Sequence, residues 1–165
     1  MKRLSRLIAA ATVPFVLALC GTVGSAVAVP TTSDGYIIEP FGKPLVGYDG
    51  KRVTMAAFTR GTQTVINVRY RAGSNPIQTY SILDPDLTYG ADGIEAPLVG
   101  KPDLAGVIAP GESRLAIYVF DVSTPRLGKA TLTVNIGLAS ASWNGNLAAV
   151  AQPLPVPQQR SPFGS

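Results

Sequence analysis

The sequence predicts an all-β protein, a sandwich of two antiparallel sheets with about seven strands, and three observations predict it. Apolar residues recur at every second position in several short segments, the period that sends alternate side chains to opposite faces of a pleated strand. Seventeen glycines and fourteen prolines are spread along the chain, which interrupts helices repeatedly but leaves short strands and tight turns intact. Between the alternating segments fall the turn dipeptides Asp49-Gly50, Asp92-Gly93, Pro110-Gly111 and Asn144-Gly145, each placing glycine where positive φ is cheap. Strands so arranged bury a shared apolar face by stacking one sheet on another.

The first segment stands apart from that pattern. Lys2, Arg3 and Arg6 precede an apolar run from Leu7 to Cys20, and Ala26-Val27-Ala28 has the small-x-small form of a cleavage site. Residues 1–28 therefore read as a helical export signal, with the folded domain occupying 29–151. An alternative keeps Cys20 as a lipidated first residue, although Leu19 stands where a small residue is expected before such a cysteine.

Within the domain, Tyr36 to Glu39 and Val53 to Phe58 read as short strands. From Thr64 to Tyr70 the alternation puts Ile66, Val68 and Tyr70 on one face and Asn67 and Arg69 on the other, the mark of a half-buried strand. Thr79 to Leu83 follows, then a weaker segment from Leu98 to Ile108 broken by Gly100, Pro102 and Gly106. Leu115 to Val122 is apolar on both faces apart from Asp121, as expected of a central strand covered on each side. Ala130 to Ile136 alternates strictly. Trp143, beside Asn144-Gly145, is expected to cap one end of the sandwich. Gln152 to Ser165 carries Pro153, Pro155, Pro157 and Pro162 among polar residues, so a disordered, extended tail is expected there.

Charge and composition exclude several functions. Lys2, Arg3 and Arg6 supply three of the fourteen basic residues, so eleven remain against ten acidic ones beyond residue 28. A net of +1 does not suit nucleic-acid binding. The one cysteine, Cys20, lies within the signal, so the domain is expected to hold together without disulfides. No later segment has the ~20 apolar residues that a membrane-spanning helix needs. A monomer is expected.

Catalytic chemistry is constrained in the same way. The chain has no histidine, so the usual proton shuttle near neutral pH is missing. Gly111-Glu112-Ser113-Arg114-Leu115 lacks the second glycine of a nucleophile elbow. Gly50-Lys51 lacks the earlier glycine of a phosphate loop. The sharpest site candidate runs from Asp84 to Glu95, with oxygen-bearing side chains at positions 1, 3, 5, 9 and 12, namely Asp84, Asp86, Thr88, Asp92 and Glu95. That spacing would wrap a calcium ion, but Tyr89 occupies the place of the bend glycine and no helices flank the loop. A solvated turn is the competing reading. Six tyrosines and Trp143 are read mainly as core, with Tyr70, Tyr80 and Tyr118 in strands.

Ile108-Ala109-Pro110-Gly111-Glu112-Ser113, then Ile117-Tyr118-Val119-Phe120-Asp121-Val122, with Asp92-Gly93 upstream and Trp143 near the end, give a region similar to the small secreted immunogenic proteins of mycobacteria and related actinobacterial exported domains. The resemblance spans about residues 36 to 145. It implies an immunoglobulin-like β-sandwich without settled enzymatic activity, and a role in binding or cell-surface interaction. The proline-rich tail departs from that family.

These readings converge on a secreted, non-catalytic binding domain at or outside the cell envelope. No catalytic, cofactor or metal residues are assigned to it, and its partner is an unspecified protein or envelope ligand. The alternatives are a carboxylate-based, calcium-dependent enzyme built on Asp84, Asp86, Asp92 and Glu95, and a structural module of a larger envelope assembly.

Overall fold

Gly61 and Thr62 form a two-residue turn in which Gly61 takes φ +60°, a conformation that glycine adopts without the steric cost of a Cβ. That turn joins β3 (Arg52–Arg60) to β4 (Gln63–Arg71) and fixes their register from Arg60 opposite Gln63 back to Arg52 opposite Arg71. The computed structural model describes residues 37–47, 49–137 and 139–154. The expected export signal, Tyr36 and the tail beyond Leu154 lie outside the described residues.

The remaining strands are β1 (Ile37–Pro40), β2 (Leu45–Val46), β5 (Ile77–Gln78), β6 (Asp86–Tyr89), β7 (Ile94–Glu95), β8 (Leu98–Gly100), β9 (Val107–Ile108), β10 (Ser113–Phe120), β11 (Ala130–Ile136), β12 (Ala139–Gly145) and β13 (Gln152–Pro153). One sheet has the order β1-β12-β11-β6-β7. The second runs β13-β3-β4-β10-β8, with β2 also paired to β3, and β5 with β9 forms a separate two-stranded ribbon. Pairing is antiparallel except at β1 with β12 and at β13 with β3. The protein is all-β in character, as expected.

Both larger sheets feed one core. Val53, Ala57, Ile66, Val68, Tyr70, Ala116, Tyr118 and Phe120 enter it from the second sheet, and Leu87, Leu132, Val134 and Trp143 from the first. The alternation expected for 64–70 and 130–136 holds: Ile66, Val68 and Tyr70 are buried, as are Ala130, Leu132 and Val134. At one margin a chain of hydroxyls satisfies itself, Thr59 Oγ1 donating to Thr124 Oγ1 (3.1 Å), which stands 3.0 Å from Thr64 Oγ1, which donates to the Val122 carbonyl (2.8 Å). Such closure matters because a buried hydroxyl left unpaired costs about 1–3 kcal/mol.

Four expectations need correction. Thr79 to Leu83 does not form a strand: Thr79–Ser81 is a turn of 3-10 helix, and Tyr80, expected in the core, is 82% exposed. The Thr79 hydroxyl donates to the Gly106 carbonyl (2.7 Å) and so anchors that turn to the loop before β9. Leu98 to Ile108 is two short strands, β8 and β9, parted across Pro102 and Gly106, while Gly100 belongs to β8 and pairs with Val119. Asn144-Gly145 is the end of β12 rather than a separate turn, and Trp143 lies within that strand, fully buried, its Nε1 donating to the Lys43 carbonyl at 2.6 Å. Gln152 and Pro153, placed by sequence at the start of a disordered tail, pair with Phe58 and Thr59 as β13. A one-turn helix α1 (Leu147–Val150) leads into β13, capped by Asn146 Oδ1 accepting from the Ala149 amide at 3.0 Å.

A fifth correction bears on function. β10 is apolar on both faces in sequence, but only one face is covered: Ala116, Tyr118 and Phe120 are buried, while Leu115 and Ile117 are 41% and 47% exposed.

Candidate anion-binding face

Strand alternation decides what the outer face of the second sheet displays. In β4 the inward residues are Thr64, Ile66, Val68 and Tyr70, so Asn67, Arg69 and Arg71 share the outer face. The hairpin register places Arg52 directly opposite Arg71 and Thr54 opposite Arg69. On the other side of β4, Ser113 of β10 stands opposite Arg71 and Leu115 opposite Arg69. Three arginines, two hydroxyl residues and a turn carbonyl therefore converge on one patch of the sheet.

A shallow recess of about 280 Å³ lies among Arg52, Thr54, Arg69, Arg71, Gly111 and Ser113. Arg71 is steered toward it by its Nε, which donates to the Gly111 carbonyl at 3.2 Å. Among the described residues no carboxylate pairs with any of the three guanidinium groups; the ion pairs are Lys51 with Asp49 and Lys101 with Asp84. Directly opposed like charges on neighbouring strands are unfavourable, and their repulsion is relieved by an anion seated between them. Guanidinium groups also offer paired N–H donors that match phosphate or carboxylate oxygens.

Beside this patch, in a neighbouring recess that shares Arg52, Arg71 and Gly111, lies a close backbone crossing. A Cβ on Gly73 would fall 2.0 Å from the Asp49 carbonyl oxygen, so only glycine fits there. The crossing is tied by the Ser74 amide donating to that carbonyl at 3.0 Å. Asp49 in turn accepts from the Lys51 amide (3.1 Å) and pairs with the Lys51 ammonium (2.7 Å). Those bonds hold the Asp49 carboxyl below its ordinary range, the Lys51 side chain acting most strongly. The ion pair stands at the rim of a second recess of about 270 Å³ between the sheets, walled by Ile37, Leu45, Val53, Val134, Ile136 and Ala141.

The sequence candidate at 84–95 takes a different form from a cation loop. Asp86–Tyr89 and Ile94–Glu95 are the two arms of a hairpin, Thr88 opposite Glu95, with Gly90 and Gly93 at positive φ in its turn. Asp84 is drawn away to Lys101 at 2.6 Å. Among the described residues no three Asp, Glu, His or Cys side chains gather as a metal-binding group. Asp84, Asp86, Asp92 and Glu95 thus do not gather as a metal-binding group. Ser113, from the serine-bearing turn, lies at the edge of the arginine recess. Tyr70 and Tyr118 are core residues, their hydroxyls 3.4 Å apart.

Sequence reasoning placed Arg69 on a solvated face but missed the cluster. The signal was present: Arg69 and Arg71 are two apart in one strand, and Arg52 lies as far before the Gly61-Thr62 turn as Arg71 lies after it. Comparison of the chain with protein-family models, with curated proteins and with solved structures finds no match. Among the described residues no helix is long and apolar enough to cross a membrane.

Proposed function

We propose that the chain is an exported, non-catalytic binding domain that acts at or outside the cell envelope and holds an anionic ligand on the arginine face. The immunoglobulin-like form of the domain is part of this proposal. It is supported by the way the chain passes repeatedly between two sheets, so that β4 lies beside β10, β6 beside β11 and β1 beside β12, the crossing habit of such sandwiches. Export rests on the sequence of residues 1–28. The resemblance to secreted actinobacterial domains belongs to the same reading.

One observation carries the binding function: Arg52, Arg69 and Arg71 share a face without a carboxylate partner among the described residues. A fold gains nothing from opposing two arginines across a ladder, so a ligand that needs them gives the arrangement its purpose. Thermal unfolding with rising inorganic pyrophosphate tests it. Saturable stabilisation that disappears in R52S/R69S/R71S is expected; the same response in both proteins would refute the site.

A further inference from the structure

The arginines do not stand alone on their face. Leu115 lies directly opposite Arg69, and Ile117 and half-buried Val119 continue the same outer row of β10. On β8, which pairs with β10, Val99 sits at the irregularity between the Gly100–Val119 and Leu98–Phe120 pairs and is 54% exposed. An aliphatic strip of Leu115, Ile117 and Val119, with exposed Val99 at the neighbouring edge strand, thus adjoins a basic patch of Arg52, Arg69 and Arg71 on a single sheet. Exposed apolar side chains grouped in this way mark an interaction surface.

We infer that this face docks on an anionic phospholipid bilayer, the three arginines taking headgroup phosphates and the aliphatic strip lying against the boundary between headgroups and acyl chains. The inference rests on the reading of the arginine face as an anion site and adds what the anion is attached to. Charge complementarity argues for the occupant: three cations without a carboxylate partner among the described residues meet a surface that repeats a phosphate at short intervals. The apolar strip discriminates further. A free phosphate has nothing to place there, and the sugar-phosphate edge of a nucleic acid presents polar groups to it, whereas a bilayer supplies hydrocarbon just below its phosphates. Paired strands hold both parts of the surface on one face of the sheet, so little ordering is lost on docking.

Vesicle co-sedimentation of the full chain tests this, with vesicles of phosphatidylcholine alone and with phosphatidylglycerol added. Comparison is made with R52S/R69S/R71S and with L115S/I117S, every other basic residue, Lys2, Arg3 and Arg6 included, being common to all three proteins. On phosphatidylglycerol vesicles, partition is expected to fall about five-fold per arginine lost, about a hundred-fold for all three. It is expected to fall several-fold in L115S/I117S, which alters only exposed positions. Far-ultraviolet circular dichroism of each variant verifies that it is folded, and single-arginine variants replace the triple one if it is not. Equal partition of all three proteins overturns the inference. So does duplex DNA binding that matches vesicle binding and is indifferent to L115S/I117S. If vesicle binding fails while pyrophosphate still stabilises the wild-type chain through the arginines, only the bilayer inference falls; if both fail, the anion site falls with it.

Discussion

Arg52 and Arg71 stand directly opposite each other across the β3–β4 ladder, on the outer face of the sheet and without a carboxylate between them among the described residues. In the absence of ligand that pair costs stability, since neighbouring like charges on adjacent strands repel. Replacing Arg52 with threonine, which suits a strand, should raise the unfolding free energy of the ligand-free protein by about 0.2–1 kcal/mol. The gain should shrink as salt is added, because screening weakens the repulsion it removes. Urea unfolding at low and high sodium chloride measures both. A loss of stability at low salt would mean that the arginine is there to hold the fold.

Gly73 is fixed by contact rather than by backbone angle. An alanine there would drive its Cβ to within 2.0 Å of the Asp49 carbonyl oxygen, against backbone that has little room to give. Gly73→Ala should therefore lower stability by about 2 kcal/mol or more, and should weaken pyrophosphate binding by displacing the loop that shares a recess with Arg52 and Arg71. Gly90→Ala, where a Cβ meets nothing within 4 Å, carries only the strain of its positive φ and is the control.

The buried hydroxyls of Tyr70 and Tyr118 are 3.4 Å apart, a long contact for two hydroxyl oxygens. Tyr118→Phe strands the Tyr70 hydroxyl and should cost about 1–3 kcal/mol, whereas Y70F/Y118F removes both partners and should lie much closer to wild type. Burial is the main cause that holds both phenols above the ordinary tyrosine range. A group raised in the folded state stabilises fully below its unfolded value, about pH 10, and that contribution is lost as pH rises beyond it. Wild type should thus lose stability above about pH 10 more steeply than Y70F/Y118F, a difference that thermal unfolding across pH 8 to 12 reads.

Asp49 has the opposite sign. Its carboxyl is held low, chiefly by the Lys51 side chain, so its contribution is present above the unfolded value, about pH 4, and disappears as pH falls through the folded one. Asp49→Asn should be less stable than wild type at neutral pH, and the two should converge in acid. Melting curves from pH 2 to 7 check the convergence; parallel curves would show that the Asp49–Lys51 pair does not contribute through its charge.

Local pattern made some elements readable and left others hidden. Ala130 to Ile136 appears in the structure with the bounds and faces that its alternation specifies, because each apolar side chain meets a neighbouring strand on the same side. β12 is not legible in the sequence: Ala139, Ser140, Ala141 and Ser142 have weak strand preference, and it is pairing with β11 and β1 that makes the strand. Thr79 to Leu83 has the composition of a strand, but its pairing is limited to a single bridge of Ile82 with Ile136, and Thr79–Ser81 curls into a turn that exposes Tyr80.

β10 shows the limit most clearly. Its sequence reports that both faces are apolar but not whether anything covers the second, and that is where Leu115 and Ile117 become part of a surface. Global charge misled in the same way. A net of +1 beyond residue 28 hid a local concentration of three arginines, with which no carboxylate forms an ion pair among the described residues. Register across the Gly61-Thr62 turn was the missing step.

The most direct measurement follows the arginine side chains themselves. In a nitrogen-15-labelled sample titrated with pyrophosphate, the Nε–Hε resonances of Arg52, Arg69 and Arg71 should shift together along one saturable curve. Arg114, whose guanidinium donates to the Ala105 and Val107 carbonyls, and Arg126, which lies 4.9 Å above the Tyr89 ring, should stay in place. Uniform small shifts across all the arginines, or none at the three that share the outer face, would contradict an anion site there.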